Sequence, residues 1–210
     1  MLNVRPVVFF GLLMTAAVVA SNILVQYPLT VTVAGIALGD ILTWGAFTYP
    51  FAFLITDLTN RQFGASVARK VVLAGFVVGV ALSFATSLPR IAIASGTAYL
   101  IGQLLDISIF NRLRRLEWWK APLISSIFGS TLDTALFFSL AFAPAFAVLG
   151  PNDAFAIENA PLFGVFQAEA QRWISWALGD LGVKLACALV MLLPYGAIIA
   201  TLKPMPARDI

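Results

Sequence analysis

Residues Gly96–Phe138 read GTAYLIGQLLDISIFNRLRRLEWWKAPLISSIFGSTLDTALFF. Two apolar runs flank a short turn that carries Arg112, Arg114, Arg115 and Lys120, with Trp118 and Trp119 beside them. In the first run Tyr99, Gln103 and Asp106 recur at three- and four-residue spacing, which places them on one helix face. In the second run Ser126, Ser130 and Asp133 do the same. The pattern predicts two membrane helices joined by a cytoplasmic hairpin, with carboxylates facing inward. Lipid penalises a buried carboxylate heavily, so its presence asks for a purpose.

The rest of the 210-residue chain agrees with that reading. Hydrophobic residues make up 60% of it and charged residues only 11%, less than half the share of about 25% usual for soluble domains. Mean hydropathy is +0.94. The apolar residues fall in blocks, and a spanning helix needs roughly 20 of them. One membrane domain over residues 1–210 is expected, with no second domain. The net charge of +3 comes from basic residues in short loops, the arrangement that topology alone produces, so nucleic-acid binding is not indicated. The chain has no histidine and one cysteine, Cys187. Intrachain disulfides are thereby excluded, thiolate or imidazole metal sites are not expected, and the commonest general base is missing. No cofactor and no enzymatic activity are expected.

Outward from the opening stretch, six spans are predicted at about 7–27, 41–60, 71–88, 91–111, 121–149 and 175–202. The first follows Arg5 and resembles a secretory signal ending at Val18-Val19-Ala20. Its apolar run continues through Ile23, Leu24 and Val25, so it reads as a retained span. The second contains Pro50, which removes a backbone bond and bends a helix. The third is apolar almost all round and is expected at the lipid-facing periphery. Pro89 and Arg90 turn the chain, and Pro144 interrupts the fifth span. The connector from Pro151 to Arg172 is aromatic-rich (Phe155, Phe163, Phe166), which suggests a short helix lying at the interface.

Six spans put both termini on one side. That side would hold Arg5, Arg61, Arg69, Lys70, Arg112, Arg114, Arg115, Lys120, Lys203 and Arg208, against Arg90 and Arg172 on the other. The bias predicts cytoplasmic termini.

Helix rise converts sequence position into depth. Asp133 lies about 18 Å from the cytoplasmic start of span five, and Lys184 about 14 Å from the opposite face, so an Asp133–Lys184 contact is feasible. Asp180, one turn from Lys184, is the rival partner, and an Asp180–Lys184 pair also has a purely structural reading. Asp57 with Arg61 reads either as an interfacial pair or as part of a gate. Ser126, Gly129 and Ser130 fit close helix packing. Trp44, Phe47, Tyr49 and Phe51 form an aromatic series on span two, suited to packing or to stacking a flat ligand. Asn22 sits nearer the outer end of the bundle, Gln103 and Asp106 nearer the cytoplasmic end.

Several motifs then carry a resemblance. TYPFAFLITDLTNRQFG (48–64) with Ala68-Arg69, GQLLDISIFNRLR (102–114), WWKAPLISSIFGSTLDTALFF (118–138), ASNILVQ (20–26) and GDLGVKL (179–185) follow one another as in the queuosine precursor transporters, the YhhQ-type vitamin uptake transporters. The chain resembles that family from about Ala20 to Tyr195. The resemblance implies an all-α, six-helix importer of the bacterial inner membrane that carries 7-cyano- and 7-aminomethyl-7-deazaguanine for queuosine synthesis in transfer RNA. It also implies an architecture akin to the substrate-binding component of energy-coupling-factor transporters.

A guanine-like edge offers two donors that one carboxylate accepts together, and a flat base stacks on aromatic rings. Asp133 or Asp106 is therefore the candidate carboxylate and Gln103 the candidate amide. Asn22, Trp44, Phe47 and Tyr99 complete the expected substrate set, while Asp57, Arg61, Asp180 and Lys184 form gates or ion pairs. The expected partners are the small-molecule substrate and the lipid bilayer, with a homodimer as one assembly state. Two alternatives stay open: a binding subunit that docks an energising partner through small residues such as Ala16 and Ala20, and, more remotely, an intramembrane enzyme.

Overall fold

Apolar backbone away from water must satisfy its polar groups internally, and in this chain it does so as helices. The structure is a computed structural model that describes residues 4–201, with side chains from residue 7 onward. Arg5, Lys203 and Arg208, on which the charge count partly rests, lie outside the described side chains. The long helices are α1 (Val4–Leu24), α2 (Gly45–Phe63), α3 (Ala65–Thr86), α4 (Pro89–Leu113) and α5 (Lys120–Phe142). A single turn, α6 (Ala154–Ile157), precedes the last long helix, α7 (Arg172–Thr201).

Five of these, all but α2 and the short α6, are long and apolar enough to cross a membrane. Side chains such as Leu12, Val77 and Leu193 are exposed on the outside of the bundle, while Asp57, Asn60, Gln103, Asp106, Asp133 and Lys184 are buried within it. Apolar outside and polar inside is the distribution of a multi-pass membrane protein. Helix α2 falls short in apolarity for a physical reason. It packs against α1, α3, α4, α5 and α7, so its Thr56, Asp57, Thr59 and Asn60 face protein.

Short turns join α2 to α3 and α4 to α5 at one end of the bundle, here the turn end. Gly64 makes the first of these at φ 83°, a conformation that favours glycine. The opposite, connector end carries two hairpins. Strands β1 (Thr32–Val33) and β2 (Ile36–Ala37) pair antiparallel through Ala34 and Gly35, both at positive φ, as the right-handed twist of a two-residue turn demands. Residues Ile41–Trp44, expected inside span two, belong to this connector instead. Leu29 N–H donates to the Leu42 carbonyl at 3.0 Å and Trp44 N–H to that of Tyr27 at 2.9 Å.

The second connector also departs from expectation. Helix α5 ends at Phe142 rather than near Leu149, because Ala143 is extended ahead of Pro144. Pro151–Arg172 is a hairpin and one turn of helix, where a short interfacial helix was expected. Strand β3 (Asn159–Pro161) pairs antiparallel with β4 (Glu169–Gln171), since Pro151, Pro161 and Gly164 interrupt any longer helical period. Arg172 ties the hairpin down, bonding Glu158 at 3.1 Å and lying 4.4 Å from the centre of the Phe155 ring.

Arg90, expected as a simple turn residue, is 4% exposed. It donates to the carbonyls of Leu140, Ala143, Gly150 and Pro151 and to Asn152 Oδ1. Leu140 and Ala143 belong to the end of α5, where carbonyls lack helical partners, and the other acceptors lie in the connector that follows.

The most extensive helix contact joins α4 to α5. It depends on two facing glycines. A Cβ on Gly102 would lie 3.0 Å from Asp133 Cβ, and one on Gly129 3.2 Å from Asp106 Cβ. Each glycine thus accommodates the aspartate of the opposite helix. Gly102→Val is expected to force the helices apart, costing about 1–3 kcal/mol, read as a lowered thermal midpoint in detergent. An unchanged midpoint would show that the contact is slack.

Candidate functional site

Three helices converge on one buried cation. Lys184 of α7 places Nζ 2.7 Å from Asp133 Oδ2 of α5 and 2.5 Å from Asp180 Oδ2, and donates to Thr134 Oγ1 at 3.2 Å. Tyr49 of α2 donates its hydroxyl to Asp133 Oδ1 at 2.8 Å, and its ring lies 4.8 Å from Lys184 Nζ. Asp133 and Asp180, offered above as rivals, both bind the lysine. Two carboxylates and one ammonium leave a formal excess of one negative charge. Thr134 also donates to Asp180 Oδ2 at 2.8 Å, so the described bonds of Asp180 use one oxygen and leave the other for a ligand.

This cluster forms the floor of a cavity of about 400 Å³ that extends to the connector end of the bundle. The volume falls in the usual range for small-molecule sites. Phe137, Phe138, Phe142 and Trp176 supply aromatic wall, with Phe142 and Trp176 edge to face at 5.4 Å. Asn22 reaches the cavity from α1 and accepts a hydrogen bond from Ser83 at 2.9 Å. Ala46 lines it too, and Pro50 cannot donate to the Ala46 carbonyl as an ordinary residue would. The proline therefore leaves an acceptor in a wall residue.

Gln103, Asp106 and Asp57 do not line this cavity. They form a separate, buried layer toward the turn end. Thr56 donates to Gln103 Oε1 at 2.6 Å, and Asn60 Nδ2 to the Ile107 carbonyl at 3.1 Å. Asp57 and Asp106 are both buried in this layer, with the Ser125 hydroxyl 3.5 Å from Asp57 Oδ1. Among the described residues no salt bridge joins Asp57 to Arg61. The Arg61 guanidinium instead donates to the Arg114 carbonyl and lies 6.0 Å from the centre of the Phe110 ring. Arg114 returns a bond to the Arg61 carbonyl at 3.0 Å, so the two arginines lock the turn end.

The remaining candidates are placed elsewhere. Trp44 is exposed and packs on Phe47, which itself packs with Leu29, Leu42 and Ala46. Tyr99 is buried among α1–α4 and donates weakly to the Val72 carbonyl. The aromatic face of the cavity was visible in the sequence as Phe138 and Phe142, four residues apart on α5, with Trp176 at the start of α7. Of the Trp44–Phe51 series only Tyr49 reaches the cavity.

A sequence profile described as "Putative vitamin uptake transporter" matches residues 43–88 and 81–198. The "Queuosine precursor transporter" of Escherichia coli (strain K12) is 36% identical over 204 residues, covering 87% of this chain and 81% of that protein. The chain belongs to the queuosine precursor transporter family. A second member, the "Probable queuosine precursor transporter" of Haemophilus influenzae, is 35% identical over 93% of this chain and 87% of its own length. The Bacillus subtilis protein of the same description is 25% identical over 80% of this chain. No solved structure matches the chain. Membership in a family of transporters sets the enzyme alternative aside.

Proposed function

We propose that this protein imports queuosine precursors, 7-deazaguanines, across the bacterial inner membrane through a six-crossing bundle with cytoplasmic termini. The observation that carries the reading is the cavity floored by Asp133, Asp180 and Lys184. The names of the relatives supply the substrate class. In this reading α2 is the sixth crossing, its polarity hidden by its neighbours. The connector end faces outward, so the cavity opens to the periplasmic side. The whole chain acts as one domain, related in architecture to the substrate-binding components of energy-coupling-factor transporters.

The base stacks against the Phe138–Phe142–Trp176 wall. Its N1–H and exocyclic amine donate to Asp180, with Asp133 held ready behind Lys184. Asn22 meets the ring carbonyl with its amide. Gln103 and Asp106 serve closure of the inner side rather than first binding.

The test is uptake in a strain that makes no queuosine precursor and has no importer of its own, with queuosine in transfer RNA as the readout. Restored modification supports the reading; none, with the protein confirmed in the membrane, overturns it. Asp133→Asn, at equal membrane level, is expected to lower restoration by at least roughly tenfold, the effect of losing one charge-assisted bond. Restoration at the unmodified level would remove Asp133 from the site.

A further inference from the structure

We propose that the Asp57–Asp106 pair binds one proton and that this proton moves inward with each substrate molecule, so that the proton gradient drives accumulation. The inference rests on the transport reading above.

Three observations carry it. First, Asp57 is 3% exposed and Asp106 is fully buried, on neighbouring helices α2 and α4 whose Thr56–Gln103 and Asn60–Ile107 bonds put the two acids in one layer. Two carboxylates have only acceptors to offer, so their contact becomes a hydrogen bond when one proton lies between them. Second, the carboxyl oxygens of the pair lack donors at ordinary distance. Among the described residues both oxygens of Asp106 and Oδ1 of Asn60 have no hydrogen-bond partner, while Ser125 serves Asp57 only at 3.5 Å. Buried acceptors left this way are costly, and a bound proton supplies the missing donor. Gln103, one turn from Asp106, has an unpartnered Nε2, a donor rather than an oxygen ligand. That favours a proton over a hard cation, which takes oxygen ligands.

Third, a second void lies between Asp57 and the floor of the substrate cavity, with Lys184 lining both. Its volume is about 20 Å³, and Asp57, Ser126, Ser130 and Tyr195 line it as well. That is room for a single water, and its polar lining offers the partners a water needs. The Tyr195 hydroxyl, at the same void, has no hydrogen-bond partner among the described residues.

The charged and titratable groups around the pair are Arg61 on α2, which faces Asp57 electrostatically, and Lys184 and Tyr195 on α7 at the void. Neither cation forms a salt bridge with Asp57 or Asp106 among the described residues. The proton enters from the cavity through the void and rests between the two acids. It leaves at the turn end once the Arg61–Arg114 lock opens.

The experiment uses the full chain in proteoliposomes, with uncharged 7-cyano-7-deazaguanine as the probe and a pH-sensitive dye inside. Counterflow between preloaded and external probe reports transport without a gradient. Substrate-dependent acidification of the lumen, together with accumulation under an inward proton gradient, reports coupling. The expected result is counterflow, acidification, and an Asp106→Asn variant whose proton-to-substrate flux ratio falls at least tenfold. Counterflow without acidification, or accumulation driven by a sodium gradient instead, overturns the proton inference and leaves the transport reading intact. Absence of counterflow overturns the transport reading and the inference with it. An Asp106→Asn protein with an unchanged flux ratio removes the proton from this pair.

Discussion

Lys184→Met is expected to destabilise the protein by about 3–5 kcal/mol, because it strands buried carboxylates that had one cation between them. Uptake should fall roughly a hundredfold or more, the scale expected when a buried charge pair loses one member. The physical origin is local. Asp133 is 3% exposed, with one oxygen on Tyr49 and the other on the lysine. Methionine fills similar volume but provides no charge to balance it.

A second variant separates binding from architecture. Asp133→Asn combined with Lys184→Met removes a charge of each sign and leaves Asp180, whose side chain at 16% exposed is the most accessible of the three. The thermal midpoint in detergent should recover most of the loss, because a missing pair is far cheaper than a broken one. Uptake should stay low. Recovery of both would show that the ion pair only holds α5 against α7. Recovery of neither would show that the lysine is needed for folding itself.

Arg90→Ala is expected to be the most damaging change away from the cavity. The guanidinium serves four backbone carbonyls and one amide oxygen, at distances from 2.8 to 3.2 Å. Its loss leaves several part-buried acceptors with fewer donors, for a cost of about 1–3 kcal/mol. Arg90→Lys should rescue little, since a point ammonium cannot reproduce the planar fork. The check is amide hydrogen exchange across residues 140–152, which should quicken in both variants before global unfolding. Unchanged protection there would mean that the connector is held by its own hairpin. Because Phe142 lies in the cavity wall, a loosened connector should also weaken substrate binding.

Membrane character, the long helices and the family are legible in the amino-acid order alone. Apolar blocks of spanning length and basic turns are local properties, and GQLLDISIFNRLR and WWKAPLISSIFGSTLDTALFF are ordered motifs that need no coordinates. The same order also singles out Asp133, Asp180 and Lys184, because a charge inside an apolar block stands out whatever its partner. Connectors were less legible. Pro151–Arg172 reads as an amphipathic interfacial segment, yet its hairpin register depends on Arg172 reaching back to Glu158 and Phe155, a contact between distant positions.

Only the tertiary structure decided how the polar residues divide. Helical spacing groups Tyr99, Gln103 and Asp106 on one face of α4, but it says nothing of which neighbouring helix each meets. Tyr99 meets α3, Gln103 meets Thr56 of α2, and Asp106 meets Gly129 of α5. Depth along one helix is a sum of residue rises. The choice between cavity floor and buried layer depends on how α2, α4, α5 and α7 close around one another, and that is fixed by Gly102 and Gly129 at the α4–α5 crossing and by the placement of Pro50.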